Sequence, residues 1–422
     1  MVRRLLLDIS PLAAHPDYRT LWIGQSIAQF GRQATALALP YQIYALTGSP
    51  LAIGGLAVAT LAALLLLALP AGGLADAVDR RHLLIAAQLG QVVVSLCLAV
   101  LALQPDPPLL LLYLLAFSSA ALVVVDRPAR RASVPRLVAP QRLASALVLD
   151  SAQIQVAKVG GPALAGLLIA SFGLPSVYML EAVLFSCGLA AVTRLPSLLP
   201  VGHRSGVTLG SLVDGIRFVR RTDVVLSLFL IDFSAMSFGL PVALFPVIAA
   251  DVFDGGPEVL GLLVAAPAVG AVVGTLASGW VGRVQWQGRG VVVAVVVWAA
   301  AIIAFGLTLG WLPLALIFLA ISGAADVIST VFRGAILQLA TPDAMRGRVS
   351  GIQILIFQGG PRLGDLEATT VAAIAGAQFS VLSGGVLCLV AAILVVARFP
   401  TLASFRPPNA DAHATGPSLT SA

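Results

Sequence analysis

Charge is what this sequence most lacks. Charged side chains make up 10% of its 422 residues and hydrophobic ones 59%, where a soluble domain carries about 25% charge. So few charges cannot cover this much apolar side chain in water, so the solvent for most of the chain must be lipid. Lysine is nearly missing: of 25 basic residues, all are arginine except Lys158. The net charge of +6 forms no stripe on a soluble domain, which argues against a nucleic-acid partner. Three cysteines, Cys97, Cys187 and Cys388, lie in apolar runs without metal spacing or a pairing pattern, and read as packing residues. The four histidines (His15, His82, His203, His413) fall in loops or tails, so none is expected at membrane depth. A G-x-x-x-x-G-K-[ST] signature is absent, as is a soluble domain, which excludes ATP as the energy source. No continuous apolar core precedes the first long apolar run, so no cleavable signal is expected. No cofactor or metal is implied.

What is present is length of apolar run. A helical span needs about 20 apolar residues, and twelve can be placed. They lie near 20–46, 51–75, 83–104, 109–130, 144–171, 174–194, 224–250, 257–281, 290–310, 312–335, 348–374 and 377–398. Short turn-like breaks separate them, such as TGSP at 47–50 and FGLPS at 172–176. A barrel would show ten-residue alternation, which LAALLLLALP at 61–70 does not. The expected class is an all-α membrane protein with twelve transmembrane helices.

Basic residues set the expected orientation. Of the 25, 22 fall before span 1 or near the connections after spans 2, 4, 6, 8, 10 and 12, and the opposite loops carry none. Both termini are therefore expected in the cytoplasm of a bacterial cell, with the chain in its inner membrane. The connection 195–223 holds Leu209, Leu212, Val213, Ile216 and Val219 at helical spacing beside Arg217, Arg220 and Arg221. That pattern predicts an amphipathic helix on the inner leaflet. The domain reading is a six-helix bundle at 1–194, this linker at 195–223, a second bundle at 224–400 and a disordered cytoplasmic tail at 401–422.

The two bundles repeat one plan. Arg131 and Pro140 match Arg333 and Pro342 at an offset of 202, and GGPAL at 160–164 echoes GGPRL at 359–363. A two-fold repeat of six spans points to a rocking transporter with its site near the midplane.

One loop breaks the apolar pattern sharply: GGLADAVDRRHLL at 72–84. It resembles the G-x-L-A-D-R-x-G-R-K signature of the major facilitator superfamily, matched at Gly72, Leu74, Ala75, Asp76, Arg80, Arg81 and Leu84. Ala77 stands where that signature has arginine, and Asp79 where it has glycine. GPALAG at 161–166 is similar to the superfamily's antiporter motif, with Gly161, Pro162 and Gly166 as its helix-packing residues. HPDYRTLW at 15–22, ALPYQIYALTGSP at 38–50 and ATPDAMRGRVSG at 340–351 resemble the enterobactin-exporter branch, which also holds drug and macrolide effluxers. The resemblance implies the major facilitator fold, two pseudo-symmetric six-helix bundles, in a monomer. It also implies a cytoplasmic latch in the loop, with Asp76 as acid and Arg80 and Arg81 as partners. The plainer alternative is that the arginines only anchor topology. Asp79 would cap span 3 or add a second partner for them.

Ionisable groups within spans cost about 2.5–3.5 kcal/mol or more, so they need a partner, a watery cavity or a function. The resemblance puts spans 1, 4, 7 and 10 around the cavity and leaves Glu181 as the one deep charge on the lipid-facing spans 3, 6, 9 and 12. Candidates for proton coupling are Asp232, Asp326, Asp365 and Glu367. The alternative for Asp232 and Asp326 is a structural bridge to Arg32 or Arg362. Asp365 and Glu367, two apart, face different sides of a helix, and Arg362 and Asp365 have the spacing to pair. Arg32, Lys158 and Arg362 are cavity bases that suit an anionic cargo such as a catecholate siderophore, or internal ion pairs. Asp126 and Arg127 sit where gating or topology is the expected role. The functional expectation is proton-coupled efflux of a small molecule, a siderophore first and a drug or macrolide second. The outer loops offer Asp106, Asp251, Asp254 and Glu258 but no acid–histidine cluster for a membrane enzyme, and the short loops no effector domain for a sensor or scaffold.

Overall fold

Inside a bilayer a backbone amide has no water to bond, so long apolar runs close their hydrogen bonds within a helix. The computed structural model describes residues 8–199, 209–240 and 242–406, without the side chains at 69, 75, 76, 209, 211, 212, 282, 283, 343 and 344. Its membrane-length helices are α1 (Pro16–Thr47), α2 (Pro50–Ala77), α3 (Arg80–Ala102), α4 (Leu109–Leu137), α5 (Leu143–Phe172) and α6 (Pro175–Thr193). They continue with α7 (Asp223–Phe238, extended by shorter turns to Val252), α8 (Pro257–Ala277), α9 (Gln287–Leu307), α10 (Leu312–Ala340), α11 (Asp343–Ala375) and α12 (Ala377–Arg398). Ten of these twelve segments are apolar enough to count as spans by hydropathy alone. The other two, α1 and α11, are the ones that carry Gln29, Arg32, Gln33 and Gln42, and Arg362, Asp365 and Glu367. The outward faces are apolar, with Leu65, Leu66, Leu110, Leu167 and Leu276 all exposed, as a lipid solvent requires.

Local chemistry explains the breaks. TGSP ends α1 with Gly48 at φ 59° and starts α2 with Pro50 in its first turn. FGLPS repeats the device with Gly173 at φ 79° and Pro175. Only glycine takes that left-handed backbone cheaply, and proline loses nothing at a helix start. Three helices outrun the expected spans. α4 reaches Leu137 through Pro128 and Pro135, α10 reaches Ala340, and α11 starts at Asp343. The apolar run measures only what lipid must cover, and these polar turns continue the helix beyond it. The seventh span is broken where one continuous helix was expected. α7 stops at Phe238, and 3-10 and π turns follow from Val242 to Val252. At the break Gly239 lies against the Trp298 ring, where a Cβ would have no room.

The chain divides into two compact units. The first is Met1–Thr208 with Val242–Ala268 and Asp365–Ala377. In it α1 packs on α5 and α6, α3 on α4 and α6, and α2 on α4. Small residues set the approach: a Cβ on Gly24 would lie 2.5 Å from the Ala191 Cβ, and one on Gly161 2.5 Å from the Gln33 Cβ.

The second unit is Leu209–Pro241, Val269–Gly364 and Gln378–Ala422. Here α9 packs on α10, with Gly290 against the Phe332 ring. The linker helix, Leu209–Arg221, was expected on the leaflet, but one of its faces is docked on protein. Gly215 lies against Arg348 and Ile352, Val219 is buried, and Asp214 pairs with Arg348 at 3.4 Å. The tail expected to be disordered from 401 is held through Arg406. A short helix, Pro400–Ala403, buries Leu402 completely, and its carbonyl fills the space beside Gly288. The Arg406 and Arg289 guanidiniums then stack on Trp286, at 3.5 and 4.1 Å from the ring centroid. Apolar burial and two cation–π contacts order a segment whose composition alone reads as loop.

Candidate functional site

The ionisable groups at membrane depth form two centres, one in each unit. In the first, Asp126 on α4 faces Arg130 one turn later. Arg130 Nη2 and Nε donate to its two carboxyl oxygens at 2.7 and 3.0 Å, and both side chains are buried. That bidentate geometry is the strong form of the contact. Arg32 on α1 lies within electrostatic reach of both, bonds Gln29 Oε1 at 3.3 Å and sits 5.6 Å from the Phe185 ring centroid. Glu181, expected among lipid-facing helices, is turned inward: it is buried on α6 with its Oε2 2.9 Å from Ser95 Oγ. Gly31 makes the room, since a Cβ there would come within 3.2 Å of the Glu181 Cγ. On α5, Asp150 accepts from the Tyr18 hydroxyl at 3.2 Å. Arg127 and Lys158 are exposed on their helices.

In the second unit, Arg333 on α10 is buried and reaches across to α7, where Nη1 donates to Asp232 Oδ1. Nη2 donates to Thr330 Oγ1 at 2.9 Å and lies 3.7 Å from Asp326 Oδ1. The partner of Asp232 is thus Arg333, rather than the Arg32 or Arg362 weighed from the sequence. Asp326 is partly exposed, Asp232 is not. One guanidinium thus lies against two carboxylates, bonded to Asp232 and 3.7 Å from Asp326.

Asp365 and Glu367 lie on the part of α11 that belongs to the first unit. Asp365 Oδ1 accepts from the Ala243 N–H at 3.3 Å, which satisfies an amide freed by the break after α7. Arg362 is exposed on the same helix.

The loop between α2 and α3 resolves into stitches. Asp79 caps α3 by accepting from the Arg81 N–H at 3.0 Å. The same carboxylate accepts from Ser197 Oγ at 2.6 Å and the Leu198 N–H at 2.9 Å, which fastens the chain leaving α6. Burial pushes its carboxyl up, but the bonds from Ser197, Leu198 and Arg81 outweigh this and hold it below the usual range. Arg80 donates to the Ala132 carbonyl on α4, and Arg81 to the Thr193 carbonyl at the end of α6. The side chain of Asp76, the expected latch acid, lies outside the described residues. A Cβ on Gly72 would meet nothing within 4 Å.

The antiporter-like motif has a steric role that can be read directly. Gly161 lies against the α1 backbone, 3.1 Å from Phe30 O for a Cβ built there, and Pro162 is buried beside it. Gly166 faces the start of α8: its Cβ would be 2.6 Å from Pro257 O and 3.3 Å from the Gly261 Cα. The two halves of the sequence meet there backbone to backbone. The contact lies at the end away from the arginine-rich loops, where the Tyr44 hydroxyl also donates to Asp251 at 2.5 Å.

The profile of the transmembrane secretion effector family matches residues 8–419. This chain belongs to that family, within the major facilitator superfamily. Its similarity to the enterobactin exporter EntS of Citrobacter koseri is 31% identity, over 82% of this chain and 83% of that protein. To EntS of Escherichia coli O1:K1 it is 30% identity, over 91% and 94%. Among solved structures, the nucleoside transporter NupG superposes with a TM-score of 0.74 at 13% identity, over 91% of this chain and 99% of that one. A bacterial homologue of the iron transporter ferroportin, in an inward-facing state, gives 0.68 at 17%, over 92% and 99%. Membership makes the chain a multi-pass membrane transporter of the efflux type. Sequence reasoning about this family member missed the roles of Arg130, Ser95 and Trp286. Arg130 was counted among loop arginines, and only its place one turn after Asp126 inside a longer α4 reveals it.

Proposed function

We propose that this chain is a secondary active exporter of a bacterial inner membrane, with both termini cytoplasmic, that exchanges a small molecule for protons. A siderophore is the best-supported cargo. The observation that carries the proton reading is the Asp232–Arg333–Asp326 centre. Asp232 and Asp326 both lie against the Arg333 guanidinium at membrane depth, where a carboxylate that changes partner can take up or release a proton. Asp365 and Glu367 are secondary coupling candidates. Arg32, Lys158 and Arg362 are the bases proposed to meet an anionic cargo. Asp76, Arg80 and Arg81 are proposed as the cytoplasmic latch, with Gly72, Asp126 and Arg127 beside it. Gly161, Pro162 and Gly166 are proposed to keep the helices close enough to seal. The working unit is a monomer of two six-helix domains, 1–194 and 224–400. The cargo reading rests on the similarity to enterobactin exporters. A drug or macrolide pump is the second reading, favoured by the partly exposed Asp326, which suits a cationic cargo.

The test is uptake into inverted membrane vesicles under an imposed proton gradient, with a catecholate siderophore, a macrolide and a cationic dye offered in turn. Gradient-dependent uptake of the siderophore is the expected result. Uptake of dye or macrolide instead would move the cargo to the second reading. Movement of none of the three with the gradient would overturn proton-driven export.

A further inference from the structure

Glu181 has no place in the reading above, yet its surroundings are unusual among the buried acids. Asp126 and Asp232 each bond a guanidinium, and Asp326 lies 3.7 Å from one. Glu181 is as deeply buried as Asp126 and Asp232, and among the described residues no guanidinium nitrogen lies within 4 Å of it. Its neighbours are hydroxyls, Ser95 from α3 and Thr35 from α1. Of the charged groups on the helices packed against α6, Arg32 is the one within electrostatic reach. Tyr178, one turn earlier on α6, is engaged with Gln42 at 2.7 Å.

The bonds around Ser95 argue for a protonated state. Ser95 Oγ lies 2.8 Å from the Gln91 carbonyl and 2.9 Å from Glu181 Oε2. A serine hydroxyl has one proton to give, and a backbone carbonyl can only accept. If Ser95 gives its proton to Gln91 O, the contact to Glu181 is a bond only when the carboxyl is itself the donor. A protonated Glu181 satisfies both contacts, whereas an ionised one leaves two acceptors competing for a single proton. The Gln91 side chain is held in turn by Ser119, through Ser119 Oγ to Gln91 Oε1 at 3.0 Å and Gln91 Nε2 to Ser119 O at 3.1 Å.

We infer that Glu181 holds a proton at neutral pH and exchanges it during transport, as a second coupling group in the first half of the chain. This rests on the proton-exchange reading above. Ionisation of Glu181 would draw Arg32 toward it and away from Asp126, which ties proton loss on α6 to the α4 centre. Glu181→Gln tests it, because the amide is isosteric with the protonated acid, is neutral and can still donate to Ser95.

Infrared spectra of purified protein at neutral pH should contain a protonated-carboxyl band that Glu181→Gln lacks and that Ser95→Ala shifts. In inverted vesicles Glu181→Gln should lose gradient-driven accumulation of the panel compound that wild type moves, while keeping gradient-free counterflow of that compound. A spectrum unchanged in Glu181→Gln, or accumulation equal to wild type, would overturn the inference and leave the proton-driven reading standing. Wild-type uptake that ignores the gradient would overturn that reading and the coupling role with it.

Discussion

Each half of the chain buries an arginine on its fourth helix, and the two are neutralised differently. Arg130 takes its carboxylate from Asp126 on the same helix, one turn away, with both oxygens engaged. Arg333 takes its main partner from another helix, Asp232 on α7, and shares itself with Asp326 on its own. A pair inside one helix travels with that helix and survives any motion between helices. A pair across two helices holds them together, and it must break or exchange partners if they part. The repeat in the sequence hides this difference. It aligns Arg333 with Arg131, which is exposed, whereas the buried counterpart is Arg130.

The most direct way to break the comparison is to replace each pair by apolar residues of similar volume. Removing one partner of a buried pair costs about 3–5 kcal/mol, whereas replacing both is often neutral. Arg333→Met alone should therefore reduce the yield of folded protein by fluorescence-detected size exclusion, and so should Arg130→Met. The double variants separate the roles. Asp126→Leu with Arg130→Met should weaken gradient-driven uptake without abolishing it, and Asp232→Leu with Arg333→Met should fold but lose it. Equal loss in both doubles would mean that the two centres work alike.

The same contrast can be sharpened at the glycines. Gly166 meets the Pro257 carbonyl so closely that any Cβ must move one helix, whereas Gly72 has open space. Gly166→Leu should abolish transport or raise proton leak, measured with a pH-sensitive dye inside proteoliposomes. Gly72→Ala should leave transport within about twofold of wild type, a difference of about 0.4 kcal/mol.

An effect on stability rather than transport is expected where the chain leaves each bundle. After α6 it is fastened by a charge, Asp79, and after α12 by the stack of Arg406 and Arg289 on Trp286. Asp79→Ala should cost about 1 kcal/mol, the usual worth of an N-cap. Its carboxyl is held below the unfolded value of about 3.9. The stabilisation is therefore complete above that pH and fades as pH falls through the folded-state value. Thermal unfolding of wild type and Asp79→Ala should differ at pH 7 and converge in acid. No change in their difference with pH would mean that the cap does not depend on the charge.

The span count and the two-fold plan were legible because lipid leaves a chain few choices: length, apolarity and turn chemistry at TGSP and FGLPS place the helices. The cap made by Asp79 was one of the two uses the sequence offered for it, since an acid just before a helix can accept from its first N–H groups. The partners of the buried charges were not. Asp232 meets Arg333 from 101 positions away, a pairing set by how α7 and α10 pack, which no local pattern encodes. Glu181 was assigned to lipid by helix number alone, yet α6 turns that face onto Gly31 of α1. Residues 401–406 were read as the start of a disordered tail from composition, which holds no record that Leu402 would find a buried site beside Gly288; the rest of that tail, 407–422, lies outside the described residues.

The central claim is that the cross-helix centre on α7 and α10 exchanges the proton that drives export. Cargo-dependent proton movement in proteoliposomes, wild type beside Asp232→Asn, tests it most directly. The account predicts that wild type moves protons when its cargo is supplied, and that Asp232→Asn, folded and still able to exchange cargo without a gradient, does not accumulate it against one. Undiminished cargo-dependent proton flux in Asp232→Asn would contradict the claim.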